Sequence, residues 1–155
     1  MRQIAINLTD VELAYLAGLI DGEGCLNFYR TSNKSCAKGY TFVARLAISN
    51  CDVETLMQIR EQLQIGRVVK KPQQKGNRKP AYNLCFYARE VRHLLPLVMP
   101  YLRIKRKQAE LVLGFVSRQK WGGTKGGLSQ EEHSLRESEH QMLRALNRRG
   151  IVASN

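Results

Sequence analysis

Apolar residues follow more than one rhythm along the 155-residue chain, and each rhythm predicts a different element. Between residues 9 and 21, Val11, Leu13, Ala14, Tyr15, Leu16, Ala17, Leu19 and Ile20 are apolar almost all round a helix. Thr9 and Glu12 have the capping-box spacing that starts such a helix. A helix without a polar face is covered on every side. In a small domain, one face then meets its own core and another meets a partner. Gly18 and Gly22 lie four apart and, with Ala14, form a strip without bulky side chains. Glycine inside a helix costs about 1 kcal/mol relative to alanine. Close packing against a second helix is the simplest offset.

The period then changes from helical to alternating, which predicts a strand over residues 25–31 with Leu26 and Phe28 inward. Residues 31–39 are polar and glycine-ended, a hairpin loop. Over residues 40–50, Tyr40, Phe42, Ala44, Leu46 and Ile48 face one way, and Thr41, Val43, Arg45, Ala47 and Ser49 the other. Asp52 caps a helix to about residue 64, with Leu56, Ile59 and Leu63 as its stripe, and Gly66 ends it. Residues 68–71 and 82–87 form a second hairpin around a basic loop, PQQKGNRKP. Helices follow at about 89–98 and 104–120, then a flexible joint at 121–127. Trp121 in it reads as a hydrophobic anchor or a stacking residue. An amphipathic helix at 129–146 with acids Glu131, Glu132, Glu137 and Glu139 reads as a structural flank, and 148–155 as a tail. The order predicts an α+β domain over residues 1–155 with one antiparallel sheet, residues 119–155 being its flanking helix and tail.

Charge narrows the function. Twenty-five Lys and Arg against 13 Asp and Glu leave a net charge of +12 and a pI near 9.9. That excess points to a polyanionic partner, nucleic acid first and an anionic membrane surface second. No apolar run approaches a membrane span. The first ten residues lack the apolar core and small-residue cleavage site of a signal peptide. Cys25, Cys36, Cys51 and Cys85 make no CxxC pair, and the three histidines complete no zinc pattern. The cysteines therefore read as reduced thiols of an intracellular protein, in the cytoplasm or an organelle.

Two segments carry the chemistry. Residues 16–24 read LAGLIDGEG, and residues 100–113 read PYLRIKRKQAELVL. By residue type alone, Lys105 is one more solvated lysine among Arg103, Arg106 and Lys107. Taken together and in this order, the two segments resemble the single-motif, homodimeric branch of the LAGLIDADG homing endonucleases. The resemblance implies a saddle-shaped antiparallel sheet backed by helices in the order αββαββα. It implies Mg²⁺-dependent, site-specific cleavage of double-stranded DNA in intron homing, at a long pseudo-palindromic site, leaving 3′ overhangs. The metal ligands it implies are the Glu23 carboxylate, where aspartate is more usual, and the Gly22 carbonyl. Lys105 and Asn50 (usually Gln in the family) complete the implied catalytic set, with Gln108 as a further match. Residues 51–54 lack the basic residue the family often has there. Ala14, Gly18, Asp21 and Gly22 fall at the implied dimer interface.

DNA reading is expected on the sheet face opposite the core, since a twisted antiparallel ribbon fits the major groove. The candidates are Asn27, Tyr29, Thr31 and Asn33 on the first strand and Thr41 and Arg45 on the second. Lys71, Gln73 and Asn83 are candidates on the second hairpin. Lys75, Arg78 and Lys79 in its loop are expected on phosphate. Two other functions stay open: an RNA maturase that assists splicing of its host intron, and a DNA-binding regulator that does not cut.

Overall fold

A computed structural model of the protein describes residues 4–73, 75–76, 78–120 and 127–148. Thr9 starts helix α1 (Asp10–Glu23) through a complete capping box with Glu12. Strands β1 (Gly24–Ser32) and β2 (Tyr40–Asn50) follow, then α2 (Val53–Leu63), whose N-cap is Asp52. Strands β3 (Arg67–Lys70) and β4 (Tyr82–Tyr87) form the second hairpin. Helix α3 (Ala88–Val98), a 3₁₀ turn (Met99–Tyr101), α4 (Arg106–Arg118) and α5 (Gln130–Asn147) complete the order. Residues 121–126 of the expected joint, Trp121 among them, lie outside the described residues, as do 149–155 of the tail.

The sheet is antiparallel throughout, in the order β1-β2-β4-β3. Its period of two sends Leu26 and Phe28 of β1, Phe42, Ala44, Leu46 and Ile48 of β2, and Leu84 and Phe86 of β4 into the core. There they meet Leu13, Leu16, Ala17 and Ile20 of α1, Val91, Leu94 and Leu95 of α3, and Val112, Phe115 and Val116 of α4. The Phe28 and Phe115 rings sit 4.4 Å apart at the centre. The opposite parity forms the outer face. Across it run the rows Cys25–Ala47–Cys85–Arg67, Asn27–Arg45–Tyr87 and Ser49–Asn83–Val69.

Of the boundaries that differ from expectation, two bear on the motif. Helix α1 runs two residues past Asp21, to Glu23. Helix α4 begins at Arg106 instead of 104, because residues 103–105 form a turn captured by Asp21. No helix among the described residues is long and apolar enough to cross a membrane.

Candidate active site

Helix α1 is covered on one side only. Leu13, Leu16, Ala17 and Ile20 are buried, while Val11 is 79% exposed and Tyr15 59%. Ala14, Gly18 and Gly22 are exposed on that same outer side. A Cβ built on Gly18 or Gly22 would meet nothing within 4 Å, so this chain's own packing does not require either glycine. Gly24 differs: a Cβ there would come within 2.4 Å of the Ile20 carbonyl oxygen, so only glycine lets the chain turn from α1 directly into β1.

That turn delivers Glu23 to the surface at the helix end, exposed and without a hydrogen bond or ion pair among the described residues. The other acid of the motif is committed within the chain. The Asp21 carboxylate accepts the backbone N–H groups of Arg103, Ile104 and Lys105 at 2.8, 3.2 and 2.9 Å. Lys105 Nζ donates to the Asp21 backbone carbonyl. Burial pushes the Asp21 pKa up, but the N–H donors of Arg103, Lys105 and Ile104 and the charge of Lys105 outweigh it. The carboxyl therefore titrates below its ordinary 3.8. Asp21, expected at a dimer interface, thus joins the motif helix to the lysine turn. That contact was invisible in the motif because its partners lie more than eighty residues away.

The remaining expected chemical residues are partly committed. Asn50 ends β2, and its Oδ1 accepts the Asp52 N–H at 2.9 Å. Gln108 Nε2 donates to the Leu146 carbonyl at 3.3 Å, which ties it to α5. Ser49, not among the expected contacts, lies on the outer face between Lys71 and Asn83. Its hydroxyl accepts from Lys71 Nζ at 3.3 Å and donates to Asn83 Oδ1. The alternation of β2 carried that signal. Residues 51–54 supply no cation, yet Cys51 lines an open cavity with Lys70, Lys71, Gln73, Arg78 and Lys79. The second hairpin brings positive charge to that turn.

On the outer face, Asn27 and Arg45 stand directly opposite each other. Asn27 Oδ1 and Arg45 Nε are buried without a hydrogen-bond partner among the described residues. Tyr29 meets Tyr87 edge-on at 6.5 Å beside them. Thr31 pairs with Thr41 toward the hairpin end. Thr41 Oγ1 accepts from Arg136 of α5 at 3.1 Å, so its hydroxyl is held from within the chain. Asn33 lies beyond β1, in the loop, where its Oδ1 accepts the Ser35 N–H at 3.0 Å. Lys75 is exposed in the β3–β4 loop.

The model of the LAGLIDADG endonuclease family matches residues 16–113. No curated protein matches the chain. Among solved structures, the fold is similar to the homing endonuclease I-CvuI in complex with the I-CreI target, solved with Mg and with its DNA not cleaved. Identity there is 20% and the TM-score 0.66, over 93% of this chain and 86% of that one. The archaeal intron-encoded homing endonuclease I-Vdi141I, complexed with DNA, matches at 19% identity and a TM-score of 0.68 over 94% of this chain and 90% of that one. The I-LtrWI LAGLIDADG homing endonuclease, bound to target DNA, matches at 21% identity and a TM-score of 0.69. There 91% of this chain corresponds to only 47% of the other.

Proposed function

The chain belongs to the LAGLIDADG endonuclease family, and from that premise we propose that it is a site-specific double-strand DNA endonuclease of intron homing that works as a homodimer with a divalent metal, Mg²⁺. The observation that carries this reading is the pairing of one exposed acid, Glu23, with the Asp21-anchored Lys105, at the end of a helix whose outer side is apolar and glycine-lined.

A single chain is half of such a site. Among the described residues, no group of three or more His, Cys, Asp or Glu side chains could hold a metal ion. Packing two α1 helices through Ala14, Gly18 and Gly22 would bring two Glu23 carboxylates together at the two helix C-termini. Negative carboxylates beside helix C-termini repel each other and favour a divalent cation between them. Correspondence to about half of I-LtrWI fits a functional unit made of two such domains.

Mg²⁺ takes oxygen ligands, and the Glu23 carboxylate with the Gly22 carbonyl would supply them. Bound there, the ion would activate water and stabilise the departing 3′ oxygen. Lys105 would place its charge at the scissile phosphate, and the amide nitrogen of Asn50 would orient solvent. Asn27, Arg45, Asn83 and Gln73 would read base edges, Asn pairing with adenine and Arg with guanine for about 1–3 kcal/mol of discrimination each. Lys71, Lys75, Arg78 and Lys79 would neutralise phosphates and make binding salt-dependent. The outcome is a cut in both strands of a long pseudo-palindromic site, leaving 3′ overhangs.

The test is cleavage selection from a randomised duplex library in Mg²⁺ and in Ca²⁺, beside a Glu23→Gln variant. Recovery of one long site with 3′ overhangs, only in Mg²⁺ and only with Glu23 intact, supports the enzyme. Tight binding of one duplex without cleavage in any lane would make the protein a regulator. Binding confined to structured RNA would make it a maturase.

A further inference from the structure

We propose that Asp21 is the positioning residue for Lys105: its carboxylate fixes the lysine's backbone and its carbonyl fixes the lysine's ammonium before DNA arrives. The proposal rests on the reading that Lys105 acts at the scissile phosphate, and it assigns the motif's first acid a task separate from metal binding and from dimer packing.

The segment from the 3₁₀ turn to α4 has little of its own to hold it. Leu102 is buried, but Arg103 and Ile104 are exposed, Ile104 by 73%. Lys105 occupies the N-cap position of α4 without a side-chain cap bond. Side-chain burial therefore does not decide where residues 103–105 lie. Three consecutive N–H groups do, because all three converge on one carboxylate. Such charge-assisted bonds are shorter and stronger than neutral ones. At the other end of the segment, the Tyr101 hydroxyl donates to Asp10 Oδ1 at 3.0 Å. The stretch from Tyr101 to Lys105 is thus laid along α1 and tied at both ends.

The ammonium is held by the same residue. Lys105 Nζ donates to the Asp21 carbonyl in the last turn of α1, where the helix carbonyls favour a cation. A lysine is a point charge on a flexible four-carbon stem, and it reaches a defined place only when something restrains that stem. Here the restraint belongs to the residue two positions before Glu23. One helix end therefore sets both the carboxylate and the ammonium of the site. If α1 helices pair in the dimer, both move with the interface.

Two measurements test this on the full chain, using the duplex recovered by cleavage selection. Backbone amide exchange without DNA should find the 103–105 amides protected in the wild type. In Asp21→Ala that protection should be lost, with β2 and β4 unchanged. Single-turnover cleavage at saturating protein should fall about 10²-fold in Asp21→Asn, the scale expected for a catalytic group displaced by about an ångström. DNA affinity should stay unchanged. The Asp21→Asn/Lys105→Gln double variant should be no slower than Lys105→Gln alone, since residues acting as a unit are not additive. Unaltered exchange at 103–105 in Asp21→Ala, wild-type cleavage by Asp21→Asn, or a double variant in which both losses multiply would each overturn the proposal. If the wild type cuts no duplex, the endonuclease reading fails by itself, and the exchange arm still decides whether Asp21 holds the lysine turn.

Discussion

At the end of the β1–β2 ribbon nearest Glu23, carboxylates and amides fix the chain through backbone N–H groups. At the far end, side chains of α5 hold it, and α5 lies outside the family match. Near Glu23, Asp21 accepts from residues 103–105, Asn50 from Asp52 N–H, and Asp52 from Thr55 N–H. At the hairpin end, Arg30 pairs with Glu137 at 2.8 Å, and the Tyr40 hydroxyl donates to the same Glu137 at 3.0 Å. Arg136 reaches Thr41. Toward the Glu23 end, the last residue of α5 adds another backbone-directed bond, Asn147 Nδ2 donating to the Leu26 carbonyl at 2.7 Å. Backbone-directed bonds hold one geometry whatever the salt. Half-exposed ion pairs are weak and screened. Under the proposed function, the Glu23 end would be the fixed, chemical end and the hairpin end the yielding, reading end, which would suit a basic protein that fits its sheet to DNA.

The largest effect should come from the chemical end. Glu23→Gln should lower cleavage by about 10³-fold, the scale of losing a major transition-state electrostatic contact. Its melting temperature should not fall, because Glu23 has no side-chain partner among the described residues. Equal loss from a variant at the hairpin end would erase the distinction between the two. Next in size is Gly18→Leu. The site has open space in one chain, so the fold should tolerate the side chain. A second α1 should not. Sedimentation should then move to a 17.7 kDa monomer and cleavage should cease. A Gly18→Leu protein that stays dimeric would place the interface elsewhere.

What is local in the chain is legible in its sequence, and what depends on distant partners is not. Strand periodicity, the Thr9–Glu12 capping box and the Asp52 cap are local, and each was readable within a few residues. The α4 start was misread at 104 because helix periodicity cannot reveal a carboxylate that arrives from Asp21 in α1. The acids of α5 read only as a flank, because the Glu137 partner Arg30 lies 107 residues away. Asn33 reads as a strand residue by alternation, yet its amide closes a local turn. Residues with short polar side chains serve caps and ligands equally well, and only the fold distinguishes the two uses.

A smaller effect isolates the reading end. Glu137→Ala removes the shared partner of Arg30 and Tyr40. An ion pair this exposed contributes about 0.2–1 kcal/mol, so stability should fall slightly. DNA affinity should weaken and its salt dependence change, while single-turnover cleavage at saturation stays at the wild-type rate. A loss in that rate would mean that α5 also shapes the chemical end.

The smallest effect separates the two ends by pH. His140 stacks on Phe42 at 4.7 Å. Its burial favours the neutral ring and, with Arg144 and Arg30, outweighs Glu137 to hold its pKa below 6.5. An unfolded chain protonates that ring at 6.5, so this contribution is full above pH 6.5 and declines as pH falls toward the folded value. Burial raises the Glu137 pKa, but the Tyr40 hydroxyl, Arg30 and His140 lower it further, to below 4.5. Its contribution is full above pH 4.5 and is lost as pH falls through the folded value. Asp21 titrates below 3.8, so at pH 5 it is still ionised and still holds its turn. Amide exchange at pH 5 against pH 7.5, corrected for intrinsic rate, should therefore find α5 and the residues 30–41 less protected, with residues 103–105 unchanged. Equal loosening of both ends at pH 5 would mean that one cooperative unit spans the ribbon, and that the division between a fixed end and a yielding end does not exist in solution.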